Sequence, residues 1–234
     1  GCFHNSEQVG KVLRWNLLPD LIRGQARPRW QNAVDEYGRK NETLFRVVQE
    51  AAEKRSGNEI RWLVDASKNV YRLFWLQQSG RFDLRVIHVM KDPRALVYSM
   101  ARPWLPSGIH RVLRYTGRWI VENAMMAHLC RVNFDPEHVR RLSYETLAGA
   151  PEDTMEAIGE WIGVDYPPEL VHNFKDYENF AISGNMMRWR ESDDKIRLDE
   201  RWKSNLPGPY QHLVHALTLP FQRLCGYSIA KKGL

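Results

Sequence analysis

Cysteine is scarce in this 234-residue chain: Cys2, Cys130 and Cys225 are the only three, and they lie far apart. They are too few for a disulfide framework, and no Cys/His cluster has metal-ligand spacing, so neither a stapled scaffold nor a metal site is expected. No apolar run approaches the roughly 20 residues of a membrane span, and no signal peptide is recognisable. Internal repeats and low-complexity tracts are absent. Dense basic runs with interleaved aromatic residues are missing as well, which argues against a nucleic-acid partner. A Gly-Lys-Ser/Thr loop is also missing, which weighs against a nucleotide kinase. A reducing, cytoplasmic setting is the simplest expectation.

What the chain does have is 43% hydrophobic residues, enough for one sizeable core, so a single α/β domain over residues 1–234 is expected. The net charge of +6 is unevenly placed. Arg72 to Arg118 holds nine Lys or Arg residues against Asp83 and Asp92, a local balance of +7, and the remainder is close to neutral. Such a field draws in a small multiply charged ligand or a polyanionic acceptor; the plain alternative is a solvated basic face.

Along the chain, Gly1 to Arg29 reads as loop and short helix, interrupted by Pro19, Gly24 and Pro28. Trp30 to Lys54 has partly helical spacing and is closed by Gly57-Asn58. Ile60 to Asp65 reads as a short strand, Asn69 to Gly80 as a helix and Leu84 to Met90 as the next strand, together a βαβ unit with parallel strands. Ile109 to Arg131 is the longest helical pattern, its Trp and Met residues facing a core. Val139 to Ser143 is a third strand. Pro151 to Ile162 is a helix opened by acidic Glu152 and Asp153, and Tyr210 to Leu224 is another, closing at Gly226. Asp176 to Leu198 lacks periodicity and carries several cations, as functional loops do.

The most informative run is Leu84 to Ser99, which passes from an apolar strand through Lys91-Asp92-Pro93-Arg94 into a helix. Asp92 suits the cap and Pro93 the first helical position. Helix N-termini attract anions, so Lys91 and the hydroxyl of Ser99 are candidates to converge on one phosphate. An ordinary strand-to-helix junction with solvated charges is the rival reading. His88, inside the strand, reads as a core histidine.

With these residues the sequence resembles the sulfotransferase family, which takes a sulfuryl group from 3'-phosphoadenosine-5'-phosphosulfate (PAPS). Val64-Asp65-Ala66-Ser67-Lys68-Asn69-Val70-Tyr71-Arg72 is similar to the family's strand ending in Ser-Lys-Asn, and Lys91 to Ser99 to its 3'-phosphate segment. Leu142-Ser143-Tyr144-Glu145-Thr146-Leu147 resembles the Tyr-Glu stretch near the adenine. Ser183-Gly184-Asn185-Met186-Met187-Arg188, with Lys195 to Lys203 after it, resembles the C-terminal cofactor loop of bacterial-type and carbohydrate-type members.

The resemblance implies a three-layer α/β sandwich around a central parallel sheet, of the P-loop nucleoside triphosphate hydrolase architecture. It implies sulfuryl transfer to a small-molecule or glycan hydroxyl, without a metal. Lys68 would face the transferring group. Lys91, Ser99, Tyr144, Gly184, Asn185, Arg188 and Arg190 would hold the adenosine 3',5'-bisphosphate part, although relatives more often carry Arg at the position of Lys91. His4 is the candidate base.

The family's opening strand, Arg-Ser-Gly-Thr-Thr type loop and helix have no counterpart. Gly1-Cys2-Phe3-His4-Asn5 instead resembles the Gly-Glu-x-His segment that follows them, with Cys2 where several relatives carry an acidic base. The expectation is a chain lacking its first strand, loop and helix, or a diverged member, with weak transfer by this chain alone. The rival to an enzyme is a non-catalytic relative that binds adenosine 3',5'-bisphosphate or a protein partner.

Overall fold

The computed structural model describes residues 16–101, 108–167, 169–172, 196 and 198–227. Its contacts divide the chain into two compact units, Gly1–Leu84 with His128–His138, and Arg85–Ala127 with Val139–Leu234. It is a mixed α/β structure with a small parallel sheet.

The first unit is helical. Residues 16–23 form α1. Gln31–Ser56 forms α2, which ends where Gly57 takes the left-handed conformation, φ 71°, and donates its N–H to the Glu53 carbonyl, the usual glycine stop. Val70–Gln78 forms α3, started by Asn69, whose side chain accepts the N–H groups of Tyr71 and Arg72. The two helices approach closely at Gly38, where a Cβ would sit 2.6 Å from the Ser79 Cβ. Phe74, Trp75 and Leu76 are buried, and the Trp75 ring meets Tyr37 edge-on at 5.4 Å. A polar lattice ties the α1–α2 turn to α3: Ala26 N–H donates to Gln78 Oε1 at 2.8 Å, and Gln78 Nε2 donates to the Gly24 carbonyl.

The expected strand Ile60 to Asp65 is not a strand. The segment has no regular secondary structure and is largely exposed, Val64 reaching 91% exposure. Extended backbone becomes sheet only by pairing its N–H and C=O groups with another strand. The single sheet among the described residues pairs two other segments, so the βαβ unit expected around α3 does not form.

The second unit holds that sheet. Val86–Met90 (β1) pairs in parallel with Val139–Ser143 (β2), Val86 opposite Val139 and Met90 opposite Ser143. The parallel arrangement expected from the sequence is present, with a later partner strand. Burial along β1 alternates rather than being complete, with Val86, His88 and Met90 inside and Ile87 and Val89 exposed. Pro93–Ala101 (α4) and Ile109–Asn133 (α5) follow β1, the last turns of α5 belonging to the first unit. Tyr144–Gly149 (α6), Pro151–Ile162 (α7), Glu169–His172 (α8), Trp202–Asn205 (α9) and Gly208–Cys225 (α10) complete the order. Val97, Val112 and Val214 join α4, α5 and α10 in one fully buried cluster, while Ala95 packs on Trp202 and Leu206.

His88 is the core histidine that the sequence suggested, 7% exposed. Asn123 gives its Nδ2–H to the Trp119 carbonyl, so its Oδ1 faces His88 Nε2 at 3.1 Å and makes that nitrogen the donor. Nδ1 is then a bare buried lone pair. Burial holds the His88 pKa below its ordinary value, and the Arg141 charge adds to the effect. Because the folded form prefers the neutral ring, stability is complete above the unfolded histidine pKa of about 6.5 and is lost as pH falls below it. Urea unfolding between pH 7.5 and 5.5 is therefore expected to show a loss of at most about 1.4 kcal/mol per pH unit. In His88→Gln that slope should flatten, and an unchanged slope would assign it to other groups.

Candidate functional site

Parallel pairing brings the carboxyl ends of β1 and β2 to one edge, where ligands of α/β sheets collect. Because Met90 lies opposite Ser143, the next residues, Lys91 and Tyr144, leave the sheet side by side. The Lys91 ammonium sits 4.5 Å from the Tyr144 ring centroid, a cation–π contact. Tyr144 lies one residue beyond β2, which ends where the sequence reading ended it. Ser143 ends β2 and at once caps α6, its hydroxyl accepting the Thr146 N–H at 2.9 Å, so Tyr144 begins a helix.

The α4 N-terminus, read from sequence as an anion site, already holds an anion of its own. Asp92 Oδ1 accepts the Arg94 N–H at 2.8 Å, and the same carboxylate takes the Arg94 guanidinium through Nε at 3.0 Å and Nη2 at 2.7 Å. This hydrogen bonding raises the Arg94 pKa. The guanidinium also stacks 4.3 Å from the Trp202 ring centroid. Arg94 and Trp202 are thus structural, pinning α9 over the turn. Ser99 lies further along α4 and is exposed.

A network that sequence reasoning left without a role supports this turn. Glu145 Oε1 accepts the Asp92 N–H at 2.9 Å and Oε2 accepts the Tyr227 hydroxyl at 3.0 Å. Burial, with the Glu145 charge beside it, pushes the Tyr227 phenol well above its ordinary value. Trp119 donates its Nε1–H to the Lys91 carbonyl at 2.8 Å and lays its ring against Tyr227. The available signal was the left-handed Gly226 that ends α10, because the residue after such a glycine often folds back onto the core.

Asp92, Arg94, Glu145, Asp199 and Lys203 line a cleft of about 540 Å³ at this edge. Its carboxylates are already engaged, Glu145 by hydrogen bonds and Asp92, Asp199 and Glu200 by cations. Arg201 grips Asp199 at 2.8 and 2.7 Å and holds its pKa down to about 2, the Lys91 charge contributing. Glu200 pairs with Lys203. The cleft therefore holds carboxylates already committed to partners, with Arg94, Lys203 and the Trp202 ring also in its lining.

Lys68 belongs to the first unit. It is exposed, directly before the α3 cap Asn69, with a positive φ of 57°. It follows a segment that forms no strand, where the sequence suggested a strand end. His4, Gly184, Asn185, Arg188 and Arg190 lie outside the described residues. Among the described residues no group of side chains has the makings of a metal site, and no helix is long and apolar enough to cross a membrane.

No curated protein matches the chain. Its structure is similar to that of a sulfotransferase domain from the curacin biosynthetic pathway, with 16% sequence identity and a TM-score of 0.49 over 70% of this chain. The match spans 60% of that domain's length. The sulfotransferase family model matches residues 14–168, a stretch that includes Lys68, Lys91, Ser99 and Tyr144. That match takes in well over half of the chain, and the protein belongs to the sulfotransferase family.

Proposed function

We propose that this chain transfers a sulfuryl group from PAPS to the hydroxyl of an alcohol, phenol or carbohydrate, on the three-layer parallel-sheet architecture that the sequence resemblance implies. The observation that carries the reading is the Lys91–Tyr144 pair at the carboxyl ends of the two parallel strands, within the matched part of a sulfotransferase. In the reaction the acceptor oxygen attacks sulfur, the bond from sulfur to the 5'-phosphate oxygen breaks, and adenosine 3',5'-bisphosphate leaves. The acceptor's proton passes to a base, for which His4 is the proposed group.

As in phosphoryl transfer, positioning and cationic stabilisation do most of the work. Lys68 is the proposed stabiliser of charge on the leaving oxygen. Lys91 would meet the 3'-phosphate as a point charge, without the fork an arginine offers, and the Ser99 hydroxyl would donate to the same group. Tyr144 offers its ring to the adenine side.

Calorimetry with adenosine 3',5'-bisphosphate tests the cofactor half. Binding is expected, and Ser99→Ala should weaken it by about 1–3 kcal/mol, the range for a hydrogen bond to a charged group. Absence of binding at millimolar ligand would remove the cofactor from the reading.

A further inference from the structure

Among the described residues Lys68 is the one residue other than glycine with positive φ. The left-handed region crowds a lysine's Cβ against the following carbonyl, so such a conformation persists only where neighbours enforce it. Here they act from both sides. Upstream, Asp65 Oδ1 accepts the Ser67 N–H at 2.9 Å. Downstream, Asn69 Oδ1 accepts the Tyr71 and Arg72 N–H groups at 3.0 and 3.3 Å.

Arg72 joins the two sides. From the first turn of α3 its Nε donates to Asp65 Oδ2 at 2.5 Å, while Nη1 donates to Tyr37 Oη at 2.6 Å and Asn41 Oδ1 at 2.7 Å on α2. Its guanidinium also lies 5.8 Å from the Tyr37 ring centroid and 5.7 Å from that of Phe45. Asn41 is itself fixed, donating Nδ2–H to the Tyr37 carbonyl at 2.8 Å and only 6% exposed. Burial acts to raise the Asp65 carboxyl pKa, yet the Arg72 and Ser67 hydrogen bonds hold it below the ordinary value.

We propose that Asp65 and Arg72 are positioning residues, an ionic clamp that locks the turn around Lys68 and holds its ammonium ready at the start of α3. The proposal rests on the reading of Lys68 as the sulfuryl-stabilising cation. A clamped backbone leaves only the lysine's own side-chain torsions to be ordered when the reacting group arrives, which is how preorganisation lowers a barrier.

The test is a double-mutant cycle on PAPS turnover with a panel of phenols, alcohols and glycans, scored by release of adenosine 3',5'-bisphosphate. Arg72→Gln should lower kcat about tenfold with little change in KM for PAPS, the signature of an interaction that matters in the transition state. Arg72→Lys keeps the charge without the fork, and Asp65→Asn keeps the acceptor for Ser67, so both should fall between. These milder variants keep the test open if Arg72→Gln folds poorly.

In a Lys68→Ala background Arg72→Gln should cost nothing further. An additive loss there overturns the clamp and leaves Lys68 as a catalytic residue, whereas Lys68→Ala at the wild-type rate removes the reading of Lys68 and the proposal with it. Amide hydrogen exchange reads the clamp without turnover. Arg72→Gln should speed exchange around Ser67–Asn69 about tenfold or more while the Met125–Asn133 part of α5 keeps its protection. Unchanged exchange there overturns the clamp whether or not the protein consumes PAPS.

Discussion

Lys68→Ala is expected to lower sulfuryl transfer from PAPS by about two to three orders of magnitude, the usual cost of deleting one preorganised group aimed at developing charge. The size of the effect follows from where Lys68 sits. It is exposed, so its removal leaves no cavity, and it occupies a left-handed position that alanine tolerates no worse than lysine does. Folding should be nearly unaffected, and the thermal midpoint should stay within a few degrees.

Affinity for adenosine 3',5'-bisphosphate should also be kept, because the groups proposed to hold it, Lys91, Ser99 and Tyr144, belong to the other unit. Lys68→Arg restores charge with a planar, bulkier head and should recover only part of the rate. Transfer of a labelled sulfuryl group to the acceptor panel measures all of this. Wild-type rates in Lys68→Ala would show that another group stabilises the transfer.

The readability of this chain follows the range of the forces involved. Helix α7 was legible to the residue, because Pro151, Glu152 and Asp153 open it and Gly163 closes it within a dozen positions. Strand β2 and the long α5 were legible for the same local reasons. The error at Ile60 to Asp65 has a different cause. An apolar run states that a segment can pair, and only a partner strand makes it do so; without one, Val64 is left 91% exposed.

The site was legible in outline alone. Lys91 and Tyr144 were singled out for separate reasons, but their contact is set by register across 53 residues. The role of Glu145 depends on partners 53 and 82 positions away, which no window of sequence contains. Ser143 shows a third limit. One residue ends the strand, where the sequence reading also ended it, and caps a helix that the local pattern did not announce, so that Tyr144 begins α6.

Those distant partners make Glu145→Ala the most damaging expected change in the second unit. Its two oxygens serve the Asp92 N–H and the Tyr227 hydroxyl, on residues 3% and 6% exposed. Truncation orphans both donors at once, and each buried donor left unpaired costs about 1–3 kcal/mol. Glu145 also lines the cleft, so water can enter and recover part of that loss. The net destabilisation should be about 2–3 kcal/mol, a fall of roughly 5–10 °C in Tm for a chain of this size.

Controls separate the two bonds. Tyr227→Phe removes one donor and leaves a carboxylate oxygen that water can reach, so it should cost about 1 kcal/mol. Glu145→Gln retains one acceptor oxygen and should fall between. Because the Asp92 N–H begins the turn that carries Lys91 and Arg94, Glu145→Ala should also weaken adenosine 3',5'-bisphosphate binding, whereas Tyr227→Phe should not. Thermal unfolding and calorimetry on the three variants decide the matter: equal stability losses in Glu145→Ala and Tyr227→Phe would mean that the Asp92 bond contributes nothing and the turn is held by Arg94 alone.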